Sequence, residues 1–153
     1  MNNRIVYISN YKSPLGNLLL ASNGKALIGL WIEHQKYFFN MKDKNVIKND
    51  ELEIFKRTKS WLDNYFNKQK PKISSLPLEP EGNCFRQEVW KILCQIPYGK
   101  TITYGEIAKK VAKKMNKKSM SAQAVGNAIG HNPISIIIPC HRVVGVNGNL
   151  TGY

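Results

Sequence analysis

One stretch divides the chain into halves with different periodicities: Leu76-Pro77-Leu78-Glu79-Pro80-Glu81-Gly82. Proline withholds a backbone donor and pushes its predecessor toward extended backbone, so neither a helix nor a central strand runs through such a segment. The domain boundary is placed there: residues 1–76, a linker at 77–82, and residues 83–153. Ahead of the break the pattern is β. Arg4 to Ser9 alternates apolar and polar, Leu18–Ser22 follows a Pro14-Leu15-Gly16-Asn17 turn, and Ala26–Ile32 follows Asn23-Gly24, a hairpin signal. These segments predict a short antiparallel meander. Lys42 to Asp50 reads as a charged connector, and His34 as a surface residue. Leu52, Phe55, Trp61, Leu62, Tyr65 and Phe66 fall near helical spacing, which predicts a helix from about Glu51 to Asn67 packed on the meander.

Beyond the break the period becomes helical. Asn83 suits an N-cap, Phe85, Val89, Ile92, Leu93 and Ile96 form one apolar face, and Ile96-Pro97-Tyr98-Gly99 ends the helix. Thr103 and Glu106 have capping-box spacing. The helix they open is expected to bury Ile107, Ala108, Val111, Ala112 and Met115 and to expose Lys109, Lys110, Lys113 and Lys114. A further short helix opens near Ser119 or Ser121 and runs to about Gly130. Val125, Ala128 and Ile129 face inward, with Ala122, Gln123, Gly126 and Asn127 on the other side. Two short helices about a basic turn suggest helix-turn-helix, although a two-helix corner with a small-residue packing face fits the same pattern.

The chemistry-bearing stretch is Ile136-Ile137-Ile138-Pro139-Cys140-His141-Arg142-Val143-Val144. The β-branched run predicts a buried strand ending at Pro139, which would deliver a cysteine and an adjacent histidine on a rigid edge. A thiolate nucleophile needs that arrangement; a core cysteine beside a surface histidine is the simpler reading of the same dipeptide. Cys84 and Cys94 read as ordinary structural thiols, because no second ligand pair stands at metal spacing.

A formal charge of +13 suits a polyanionic partner, nucleic acid or an anionic surface. The start of the chain has no signal-peptide apolar region and no run approaches membrane-spanning length, so the expectation is a cytoplasmic protein without a membrane partner. Three cysteines argue against a disulfide framework.

Taken in order, Phe85-Arg86-Gln87-Glu88-Val89-Trp90, Ile96-Pro97-Tyr98-Gly99-Lys100-Thr101, Thr103-Tyr104-Gly105, Ala124-Val125-Gly126, Asn132-Pro133 and Pro139-Cys140-His141-Arg142-Val143 resemble the methylated-DNA–protein-cysteine methyltransferases, the O6-alkylguanine-DNA alkyltransferases. Ser13-Pro14-Leu15-Gly16 and Gly29-Leu30-Trp31 extend the resemblance to the first half. The resemblance implies an α+β fold: a small ribonuclease H-like α/β subdomain, then a winged-helix-like, helix-turn-helix DNA-binding catalytic subdomain. It implies a monomer, without metal or cofactor, that takes an alkyl group from O6-methylguanine in double-stranded DNA onto its own cysteine, with O4-methylthymine as a further candidate substrate. In that picture Cys140 is the acceptor and His141 the base, acting through a water. Tyr104 contacts the guanine and helps rotate it out of the stack. Backbone carbonyls of Cys140 and Val143 hold the guanine amine, and Asn132 is a hinge. Ala122, Gln123, Ala124 and Gly126 lie on a minor-groove recognition helix, with Arg142 also on the substrate side and Tyr153 on the pocket wall.

Three departures accompany the resemblance. Gln123 stands where the family has an intercalating arginine, and Asn127 where glycine is frequent. The sequence given stops at Thr151-Gly152-Tyr153, ahead of the family's glycine pair and the helix whose carboxylate orients the histidine. The expectation for this exact chain is therefore reduced reactivity. Alternatives that stay open are a non-catalytic damage-binding relative, a truncated inactive alkyltransferase and a winged-helix regulator. A Cys–His hydrolase is disfavoured by the adjacency of Cys140 and His141.

Overall fold

The computed structural model describes residues 5–33 and 45–145, which divide into two units: residues up to Pro80 together with Pro133–Ser135, and Glu81–Asn132 with the residues from Ile136 onward. In the first unit, β1 (Ile5–Ser13), β2 (Gly16–Ser22) and β3 (Leu27–Ile32) form the antiparallel meander. Ser13 pairs with Gly16 across the two-residue Pro14-Leu15 turn, and Gly16 has φ of +112°, a conformation glycine reaches without strain. At the next reversal the Asn23 side chain accepts the N–H groups of Lys25 and Ala26, at 3.0 and 2.9 Å.

The expected connector between residues 42 and 50 is instead a fourth strand. β4 (Asn45–Lys48) runs parallel to β1 and gives the order β3-β2-β1-β4. All four of its residues are exposed, so the alternation that marks a half-buried strand is missing from its sequence. Its pairing with β1 makes it a strand without that signal.

Helix α1 (Glu53–Phe66) packs on β1, β2 and β3 through Ile54, Phe55, Thr58, Trp61 and Leu62. The buried Thr58 hydroxyl donates to the Ile54 carbonyl, and the Trp61 indole donates to the Lys72 carbonyl. Val6, Ala21, Ile28 and Trp31 form a second apolar cluster, flanked by Ile8 and Leu19. A Cβ on Gly29 would lie 2.1 Å from the Trp31 ring, so this strand position accepts only glycine unless the indole moves. Two further segments bond to β3. Leu27 donates to the Pro77 carbonyl and accepts from Glu79; Leu30 donates to the Pro133 carbonyl and accepts from Ser135.

The second unit holds α2 (Cys84–Cys94), β5 (Ile102–Thr103), α3 (Tyr104–Lys114), α4 (Ala122–Gly130) and β6 (Val143–Val144). Each helix begins on a side-chain cap. Asn83 accepts the Arg86 N–H, Thr103 and Glu106 form the reciprocal capping box, and Ser121 accepts the Ala124 N–H. Helix α3 ends in a Schellman motif: Lys117 N–H bonds Ala112 O, Asn116 N–H bonds Lys113 O, and Asn116 takes φ of +56°. That stop makes the sharp turn into α4 and gives the helix-turn-helix. Val89, Leu93, Ile107, Val111, Val125, Ala128 and Ile129 are buried, as their spacing required, and Trp90, outside the expected apolar face, is buried with them; Phe85 and Met115, expected in this core, are half-exposed, Met115 at the C-cap of α3. The Trp90 indole donates to the Ala128 carbonyl at 3.0 Å and ties α2 to α4. The class is therefore α+β, a sheet unit followed by a helical one.

Candidate alkyl-acceptor site

The Ile136–Ile138 run is buried but is not a strand. A strand requires a partner ladder, and here Ile134 makes only an isolated bridge to Leu30. At Ile136 the backbone turns with φ of +70°, a region β-branched residues rarely enter. Hydrophobic burial, not pairing, accounts for the three isoleucines.

What delivers Cys140 is a pair of tight turns. Pro139 sits at φ −82° and ψ 69°, and the Cys140 N–H reaches back to the Ile138 carbonyl at 2.8 Å, the geometry of an inverse γ-turn. Cys140–Arg142 then forms one 3₁₀ turn, with Arg142 N–H on the Pro139 carbonyl and Val143 N–H on the Cys140 carbonyl. The buried Asn132 amide donates to the Ile138 carbonyl at 3.0 Å. One carbonyl thus receives both the Asn132 side chain and the backbone of the candidate nucleophile.

β6 follows directly and pairs in parallel with β5, Ile102 with Val143 and Thr103 with Val144. Since β5 runs into α3, the pairing sets the start of α3, where Tyr104 stands, beside the segment that follows Cys140. Gly126 of α4 lies against the Tyr104 ring; a Cβ there would be 3.7 Å from it. Tyr104, Gly126 and the Cys140 turn therefore share one helical unit. Cys140, His141, Arg142, Tyr104, Ala124 and Gly126 are half-buried, Asn132 and Val143 buried, Ala122 and Gln123 exposed; Tyr153 and His34 lie outside the described residues.

Burial, and then the positive charge of Arg142, hold the His141 pKa below the ordinary 6.5, so the imidazole is neutral at neutral pH. Cys94, half-buried at the end of α2, is pushed up to about 11 by burial against the opposing Arg142 charge and stays a thiol, whereas Cys84 is exposed. Among the described residues no three His, Cys, Asp or Glu side chains converge on a metal position, and no helix is long and apolar enough to cross a membrane.

Two partners went unread in the sequence. The Arg142 guanidinium donates to the Ile96 carbonyl at 2.6 Å and lies 5.5 Å from the centre of the Tyr98 ring. The Asn127 side chain accepts from Arg86 at 3.4 Å, which occupies the amide that replaces the family's frequent glycine.

Residues 84–153 match the family profile described as 6-O-methylguanine DNA methyltransferase, DNA binding domain, and residues 6–80 match its ribonuclease-like domain. A methylated-DNA–protein-cysteine methyltransferase of Haemophilus influenzae is 41% identical over 148 residues, covering 97% of this chain and 78% of that one. Its counterpart in Methanosarcina mazei is 43% identical over 153 residues, covering 97% and 88%. A crystal structure of the Mycobacterium tuberculosis OGT in complex with DNA superposes with a TM-score of 0.80 at 37% identity, covering 96% of this chain and 84% of that chain. With both halves matched, in order, the chain belongs to the 6-O-methylguanine DNA methyltransferase family.

Proposed function

We propose that this protein repairs O6-alkylated guanine in double-stranded DNA by moving the alkyl group irreversibly onto Cys140. The observation that carries the reading is the γ-turn and 3₁₀ turn that present Cys140 beside a neutral His141, in the same unit as a helix-turn-helix. In the reaction, the thiol proton passes to His141, a carbon–sulfur bond forms, the carbon–oxygen bond to guanine breaks, and the guanine takes up a proton as it leaves. Successive side chains of a 3₁₀ turn diverge by about 120°, so a bridging water suits the proton path from Cys140 to His141. A thiol of ordinary pKa is mostly protonated at neutral pH, which is why a neutral base beside it matters.

The reactive oxygen is inaccessible in a stacked duplex, so the nucleotide must leave the stack, at a cost of a few kcal/mol. Tyr104 at the start of α3, with Ala122, Gln123, Ala124 and Gly126 on α4, serves that step. Small side chains let α4 approach the minor groove closely. Asn132 acts as the hinge, and the Cys140 and Val143 carbonyls meet the guanine amine. Residues 83–153 carry the chemistry in this reading, residues 1–76 support it, and the protein acts as a monomer where the cell keeps its DNA.

The test is incubation with duplex DNA containing O6-methylguanine, followed by intact mass spectrometry. A gain of one methylene equivalent, abolished by Cys140→Ser, is the expected result. Tight binding without a mass change would identify a damage-binding relative instead, a role that has no use for Cys140.

A further inference from the structure

We infer that Arg142 is a positioning residue that clamps the Cys140–Arg142 turn onto the Ile96–Gly99 turn after α2, and not a contact to DNA phosphate. The inference rests on the alkyl-transfer reading and assigns one side chain of that site a different task.

Three observations converge on it. The guanidinium donates to the Ile96 carbonyl at 2.6 Å, the short distance of a charge-assisted bond. Its carbon lies 5.5 Å from the centre of the Tyr98 ring, within cation–π range. Arg142 is half-buried, and its charge reaches both His141 and Cys94, so the group points inward toward α2. The Ile96 carbonyl gains something as well. It lies just beyond the end of α2, where the last carbonyls lack intrahelical donors, and a cation there is favourable. The mechanical consequence concerns Cys140. The 3₁₀ turn is closed by its Arg142 and Val143 N–H bonds, and the Arg142 side chain adds an anchor to an element 46 residues away in sequence.

Lysine cannot reproduce this. It has a point charge without the planar fork that serves a carbonyl and a ring at once. A phosphate contact, by contrast, would tolerate lysine and would report in binding.

The experiment is single-turnover alkyl transfer from O6-methylguanine duplex DNA, measured across duplex concentrations for wild type, Arg142→Lys, Arg142→Gln and Tyr98→Leu. A displaced nucleophile predicts a maximal rate lower by about tenfold to a hundredfold in both Arg142 variants. The half-saturating duplex concentration should stay within about twofold, because ground-state binding is untouched. Tyr98→Leu leaves the Ile96 bond intact and should show a smaller loss of the same kind. It remains informative if the arginine variants fail to fold, and an unchanged maximal rate for it would then overturn the clamp. A raised half-saturating concentration at normal maximal rate, or full activity of Arg142→Lys, would overturn it too. Failure of the wild type to gain a methyl would instead remove the functional reading itself.

Discussion

Asn132 donates its side-chain amide to the Ile138 carbonyl at 3.0 Å, closing a loop whose far end is Cys140. The amide is buried, and the same carbonyl receives the Cys140 N–H at 2.8 Å. Asn132→Ala removes one of these two donors but leaves the carbonyl satisfied, so its stability cost should be about 1 kcal/mol. Asn132→Asp sets a carboxylate against the carbonyl and should cost more, about 3 kcal/mol. Both should slow alkyl transfer, the aspartate more, because the γ-turn that aims Cys140 loses its brace. Urea unfolding and single-turnover rates read the two effects; an aspartate variant with normal rate would show that the brace does not aim the thiol.

Ile136 sets two effects against each other. Its φ of +70° imposes strain of about 1–3 kcal/mol on a β-branched residue, which glycine would relieve. Its side chain is only 4% exposed, however, and truncating a buried isoleucine costs about 2–5 kcal/mol. Burial should win. Ile136→Gly is expected to lower stability by about 1–2 kcal/mol, the difference between the matching ends of these ranges. Denaturant midpoints measure it, and a stabilised glycine variant would mean the strain is the larger quantity.

Ile136 also shows where sequence reading stopped. Helix ends were legible because their signals are local: Asn83, Thr103 with Glu106, and Ser121 each cap a helix within three residues. Core faces of α3 and α4 were legible because burial follows one period. The Ile136–Ile138 run satisfied every local rule for a strand and formed none, since pairing depends on residues remote in sequence. β4 is the opposite case, a strand with four exposed residues whose only cause is its partner β1. At the site, Cys140, His141 and Tyr104 stood out by type and order. The Arg142 anchor did not, because its acceptor is a backbone carbonyl and carbonyls leave no mark in a sequence.

His141 makes a pH prediction with a definite sign. Burial first, and Arg142 second, lower its folded pKa below the unfolded 6.5, so the unfolded state binds the proton more readily. This group's contribution is fully present above 6.5 and is lost as pH falls from there, until the folded imidazole itself takes a proton. The base needed for transfer also persists to lower pH than a free histidine would allow. The acidic limb of the alkyl-transfer rate should therefore lie below 6.5, and His141→Gln should abolish that limb. A wild-type limb centred above 6.5 would contradict a buried, neutral base.

Gln123 is exposed on the second residue of α4, where the family carries an intercalating arginine. Glutamine hydrogen-bonds an orphaned base but offers no cationic plane to stack in the vacated space. Gln123→Arg should tighten duplex binding by about 1 kcal/mol, roughly fivefold, through one added stacking and charge contact. Fluorescence anisotropy with a lesion-bearing duplex measures it. Unchanged affinity and repair rate together would exclude Gln123 from the gap in the stack.

The lysines of α3 are expected to set how salt acts on DNA binding. Lys109, Lys110 and Lys113 are exposed on the helix before α4, while Lys114 sits 4.0 Å from the Glu88 carboxylate and is partly compensated. Each lysine that neutralises a phosphate releases a condensed counterion, which contributes about 0.9 to the slope of log affinity against log salt. Replacing Lys109, Lys110 and Lys113 together by glutamine should therefore flatten that slope by about 2 to 3. Exposed lysines have little part in folding, so thermal stability should hardly change. Titrations of an undamaged duplex at several salt concentrations read the slope directly. A slope identical to wild type would mean that this face of α3 stays in solvent and that the charge attracting DNA lies elsewhere on the chain.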